Sequence, residues 1–399
     1  MASRSPFRRH RAHGLPLLIA AVALLAAARP APAAARPRPD APAAAAPDSA
    51  GFALATAAPE TAASEPFYFY RNLHYGSESL VHPLRMVLNS GFGIMQVGNR
   101  DNHPFDIDYA RGATNLWRNL RDPFGSIQNE GWGRFLREEI IPFSTNTKGA
   151  RYWPNYTQHL IGGGMSWRLI GEWFRAHDWP HAGWWATATM FGYHALNEIV
   201  ETSDYDGWTT DPVADMWLFD PAGILLFSSD KVARFFGETL HMADWSYQPC
   251  YDPWDQSLEN MGQNFVMKLR LPRSERWHLF YNYGTHGEIG LSYWREDGHC
   301  FSLGAGLMAG KLIQLEHGVR TVDLVPTAGV FWDRNNSLLA SVMYARTQAY
   351  RLRLNVYPGV LRVGSWSPGL FAGLNRQDTL VAGVTFSTGV PLGIAYDAP

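Results

Sequence analysis

His194, Glu198 and Glu201 fall at i, i+4 and i+7 of GWWATATMFGYHALNEIVE, residues 183–201, so a helix there presents all three on one face. Asp215 follows amid Met216, Trp217, Leu218 and Phe219, where an unpaired carboxylate is costly. It needs a partner, and His159 and Arg168 on the preceding helical segment are the nearest by type. Carboxylates forced together with a histidine in reach can act as general acid and base or hold a divalent cation. Glu198, Glu201, Asp215, His159 and His194 are therefore the candidate catalytic residues, with metal binding left open. The competing reading is a buried polar network that fixes how the helices dock.

These acids belong to NEIVETSDYDGWTTDPVADMWLFDPAG, residues 197–223, which packs seven carboxylates into 27 residues between Trp- and Gly-rich flanks. Asp211 and Asp220 each precede proline, the pattern of an N-cap followed by the first helical residue, and are expected to cap helices. Asp204 and Asp206 sit in a turn-like SDYDGW and are expected in solvent. The sequence contains no HExxH, nucleophile elbow or phosphate loop. It specifies no cofactor.

The elements that must position these residues divide at about residue 250. Upstream, apolar residues recur at helical spacing over 157–176 and 183–201, with shorter helices expected at 128–139, 212–218 and 222–236. Gly162, Gly163, Gly164 and Gly171 would let such helices approach closely. Downstream, the period is two. Leu279, Tyr281, Tyr283, Ile289 and Leu291 alternate with His278, Asn282, Gly284, His286, Glu288 and Ser292. The pattern returns at 300–307, 351–356 and 379–386, and more weakly at 264–271, 321–332, 337–345 and 389–396. Alternation over about ten residues, with Gly, Ser, Thr, Arg and Asn on one face and aromatics at strand ends, suits an outer-membrane barrel better than a dry sandwich core.

The ends and the composition agree with export. A basic stretch, an apolar run of about 14 residues and small residues at APAAA make residues 1–35 a signal peptide. Residues 36–65, rich in Ala and Pro, read as a disordered linker. The net charge of −2 and the lack of a basic run in the mature part argue against nucleic acid. Cys250 and Cys300 could pair in an exported protein, and their spacing does not decide it.

QHLIGGGMSWR, then NEIVE, then DPVADMWLFDPAG resemble an uncharacterised family of Gram-negative envelope proteins. The order of helix-terminal Glu198 and Glu201, then Asp211, Asp215, Asp220 and Gly223, is also similar to VanZ-like membrane proteins, over about 70 residues. These resemblances imply an envelope location and carry no mechanism.

The expectation is an α+β protein: a helical region over 66–250, then an antiparallel outer-membrane β-barrel of about 8–12 strands over 251–399. It would reside in the cell outer membrane, in contact with lipid, as a structural or lipid- or small-ligand-binding envelope protein. The alternative is an outer-membrane enzyme of hydrolase type, acting on lipid or cell-wall material through the Glu/Asp/His cluster.

Overall fold

The structure, a computed structural model, describes residues 66–97, 101–141, 152–204, 207–314, 320–345, 349–375, 378–387 and 391–397. The signal peptide and linker lie outside them.

The helices start where the local chemistry permits. His82 accepts the Leu84 N–H at 3.1 Å and opens α1, Pro83–Gly91, with proline first. Asp108 caps α2, Tyr109–Arg121, and Asp122 caps α3, Pro123–Glu130. A π-helical stretch, Asn155–Gly163, runs without a break into α4, Gly164–Ala176. α5 spans Ala182–Glu201. A second π-helical stretch, Asp215–Phe219, runs into α6, Asp220–Ser228. No helix among the described residues is long and apolar enough to cross a membrane.

Close approach of α4 and α6 depends on two glycines. A Cβ on Gly164 would lie 2.6 Å from the Gly223 carbonyl oxygen, and one on Gly223 would lie 2.7 Å from that of Leu160. Around this crossing Ile170, Phe174, Ala186, Met190 and Phe227 are fully buried, in one cluster with Phe265 and Tyr283 from the sheet. Helices and sheet thus share a core.

The sheet takes thirteen strands from the described residues. In chain order they are β1 Ala243–Asp244, β2 Cys250–Asp252, β3 Ser257–Glu259, β4 Phe265–Arg270, β5 Trp277–Tyr283, β6 His286–Trp294 and β7 His299–Gln314. β8 Arg320–Arg334, β9 Ser337–Ala345, β10 Tyr350–Val356, β11 Pro368–Asn375, β12 Leu380–Phe386 and β13 Gly393–Asp397 complete it. From β4 to β13 each strand pairs antiparallel with the next. β13 then pairs in parallel with β2, which carries β3.

The expected barrel is corrected here, because β1 and β3 end the sheet and do not pair with each other. Both are only two or three residues long, and Pro249 and Pro253 on either side of β2 have no N–H to extend a ladder. Between β1 and β2, Tyr247 offers its carbonyl to Arg85 at 3.2 Å and to Asn89 at 2.9 Å, both on α1.

The sheet is inverted relative to a water-soluble domain. Leu279, Ile289, Leu291, Leu303, Leu354 and Ile394 are exposed, while His278, Glu288, Ser292, Ser302, Arg353 and Asn355 are buried. The interior is filled. Arg353 lies between the rings of Tyr247 (4.1 Å) and Tyr350 (4.6 Å), and Lys268 pairs with Asp333 at 2.6 Å. Trp245, Phe280, Phe331 and Tyr357 pack beside them. Cys250 and Cys300 are both buried and free.

A candidate histidine–aspartate site

Three helical elements bring four side chains together. His159 comes from the π-helical Asn155–Gly163, His194 from α5, and Asp215 and Asp220 from the second π-helical stretch and the start of α6. Asp220 is fully buried and bridges both imidazoles. Its Oδ1 faces His159 Nδ1 at 3.3 Å, and its Oδ2 is bonded to His194 Nδ1. His159 turns its other nitrogen, Nε2, to Asp215 Oδ2 at 3.2 Å. The result is a continuous chain, Asp215–His159–Asp220–His194. Tyr193 packs edge-on against His194, with ring centroids 4.3 Å apart. His159 alone keeps a window to the outside, its side chain 18 % exposed.

The π-helical turn makes this convergence. In an α-helix, residues five apart point about 140° away from each other. In Asp215–Phe219 the turn is wider, and the Asp220 N–H donates to the Asp215 carbonyl, a bond of i→i+5 type. Asp215 and Asp220 therefore reach the same histidine.

Burial and charge push the four groups apart in proton affinity. Burial works against a proton on His159, but the hydrogen bond and charge of Asp220, then the charges of Glu198 and Asp211, outweigh it and raise its pKa. His194 is lowered, by burial and by the charge of His159, despite Asp220. Burial raises the Asp220 carboxyl, yet the two histidines bring it below the ordinary value. Asp215 is driven well above the carboxylate range by burial first, then by the charges of Asp211, Glu139, Asp220 and Glu201. The two histidines are thus shifted in opposite directions, and so are the two aspartates.

The predicted residues divide accordingly. His159, His194 and Asp215 are brought together, and His159 is the partner that Asp215 needed. Arg168 is not. It donates to Glu172 (2.6 Å), Asp230 (2.8 Å) and the Phe67 carbonyl (2.8 Å), anchoring the incoming chain. Glu198 is buried on α5 and Glu201 half-buried at its end, and both act on the site through their charge. Asp220, expected as a cap, makes no capping hydrogen bond and is the centre of the site. Asp211 stands as the first residue of its short helix, Asp211–Ala214, with Thr210 in the N-cap position. The aspartate–proline pair marked where α6 begins but concealed what the carboxylate does.

Compared with protein families, with characterised proteins and with solved structures, the chain matches none. The site's chemistry has to be argued from its own residues.

Proposed function

We propose that this chain is an outer-membrane envelope protein. Lipid would bathe the outer face of its sheet, and its helical unit would serve a lipid or small ligand at the membrane boundary. The observation that carries the reading is the inverted sheet. More than a dozen large apolar side chains stand exposed on β4 to β13. At roughly 1 kcal/mol each for a side chain about half exposed, left in water they would forgo on the order of the ~5–15 kcal/mol that holds an ordinary domain folded. Against hydrocarbon they cost nothing.

Aromatic side chains at the strand ends support the same placement. Trp277 and Tyr293 pack with centroids 5.1 Å apart near one rim, where Phe301 also stacks with Trp332, and Trp254 meets Tyr396 at 5.4 Å. The helical unit has its own exposed set, Trp153, Trp184, Trp217 and Leu225. The packed interior argues against a passive pore. The test is fractionation of the full chain expressed in a Gram-negative host, with gel migration before and after boiling. Recovery in the outer membrane with a heat-dependent shift is expected; soluble periplasmic recovery without a shift would overturn the reading.

A second reading, an outer-membrane enzyme of hydrolase type acting on lipid or cell-wall material, is favoured by the Asp215–His159–Asp220–His194 chain. A buried relay with one partly open histidine is the arrangement general acid–base catalysis uses. His159→Gln should abolish turnover of labelled envelope lipid or muropeptide while leaving membrane recovery intact. Equal turnover by the variant would exclude the site.

A further inference from the structure

We propose that His159, His194 and Asp220 form a site for one divalent transition-metal ion, zinc being the type case, with Asp215 as the carboxylate that orients His159. The inference deepens the second reading, because it concerns the same four residues; it does not depend on the membrane placement.

Two imidazoles and one carboxylate are a common ligand set of metal centres that keep a position open for water or substrate. The ligand atoms of His159, His194 and Asp220 all lie within 4.8 Å of one another. Two ligands about 2.0 Å from a tetrahedral ion are separated by about 3.3 Å. His159 Nδ1 and Asp220 Oδ1 are 3.3 Å apart, longer than the ~2.8 Å of a charge-assisted hydrogen bond. The three residues come from three separate helical elements, so small adjustments of side-chain angle bring them onto one centre.

The second observation is Asp215. A histidine bound to a metal through one nitrogen usually gives the other N–H to a carboxylate, which fixes its ring. Asp215 Oδ2 stands 3.2 Å from His159 Nε2, in that position. Asp215 is 3 % exposed, and its other oxygen, Oδ1, is buried with no hydrogen-bond partner among the described residues. An orphaned buried carboxylate oxygen beside such a ligand set is what a metal-bound water would donate to. The charges of Glu198 and Asp211, felt at His159, make the surroundings favourable to a cation.

The experiment is titration of the chelator-treated full chain, folded in detergent, with Zn2+ by calorimetry, and with Co2+ by visible absorption. One ion per chain is expected, with the Co2+ bands of a low-symmetry nitrogen–oxygen site. His159→Gln and Asp220→Asn should weaken binding at least 100-fold, and Asp215→Asn by about 10- to 100-fold. Circular dichroism and tryptophan fluorescence check that each variant is folded. Asp101, His103 and Asp106 form a second, more exposed cluster, so His103→Ala is the control and should leave uptake unchanged. No stoichiometric uptake by the unaltered protein overturns the proposal, even if a variant fails to fold. So does uptake that survives both His159→Gln and Asp220→Asn, or that is lost with His103→Ala. Metal uptake by an unaltered protein that turns over neither envelope lipid nor muropeptide would instead count against the hydrolase reading alone.

Discussion

His159 and His194 stand with ring centroids 4.6 Å apart, and the one carboxylate of Asp220 takes a nitrogen from each. Two histidines held this close inside a protein repel when both are charged, so the pair persists because Asp220 sits between them. Replacing Asp220 by Ala leaves two buried imidazoles facing each other, and should destabilise the helical unit by ~3–5 kcal/mol. Denaturant unfolding followed by tryptophan fluorescence measures the change. Less than ~1 kcal/mol would mean that the carboxylate holds nothing together.

Gly223 touches backbone at the crossing of α4 and α6. Valine there would force a Cβ to 2.7 Å from the Leu160 carbonyl and 3.1 Å from that of His159. Gly223→Val should push the helices apart, cost ~2–4 kcal/mol and remove whatever His159 does. Cysteine cross-linking between the two helices would record the separation. An unchanged cross-link yield would contradict the packing account.

The outer face of the sheet separates the membrane reading from a soluble one. Leu303 on β7 is 62 % exposed. In water, Leu303→Arg at an exposed position changes stability by less than ~0.5 kcal/mol. Facing hydrocarbon it costs ~2–4 kcal/mol near the midplane. Folding into vesicles across a urea series decides between them, with the midpoint expected to fall.

Acid should loosen the helical unit through His82. Burial, then the charge of His177, lowers its pKa to about 4, from 6.5 in the unfolded chain. Between those values the unfolded chain binds more protons than the folded one, so stability rises with pH. His82 therefore costs nothing above pH 6.5, and its penalty grows to at most ~3 kcal/mol as pH falls towards 4. His82→Asn keeps a side chain able to cap α1 and removes the titration. Unfolding midpoints measured from pH 7 to pH 4 should fall less steeply for the variant than for the original chain.

Much of this architecture was legible in the sequence, and the exceptions have physical causes. The strands from 264 onward announced themselves because one buried face imposes a period of two, and α4 and α5 because an apolar stripe repeats at helical spacing. Cost of burial showed that Asp215 needs a partner, and residue type narrowed it to His159 or Arg168, between which only the structure decides. Asp220 could not be placed, because aspartate before proline has the same signature whether its carboxylate caps the helix or turns inward. The i→i+5 turn that unites Asp215 with Asp220 has no distinctive pattern, since a single wide turn shifts the register by one residue and leaves hydropathy unchanged. The opening between β1 and β3 was equally hidden, because strands of two or three residues are too short to alternate.

β2 lies beside β13, although Cys250 and its partner Gly393 come from opposite ends of the sheet-forming half of the chain. Every other neighbouring pair of strands from β4 to β13 joins segments adjacent in sequence, and can form as a hairpin while the chain is still emerging. This one pairing has to await residues 393 onward, which makes it the strand pairing with the largest loop-closure entropy and the natural last step of sheet assembly. A chain cut short before Gly393 should therefore accumulate as a nearly complete intermediate with β2 and β3 undocked, rather than fail to fold from the start.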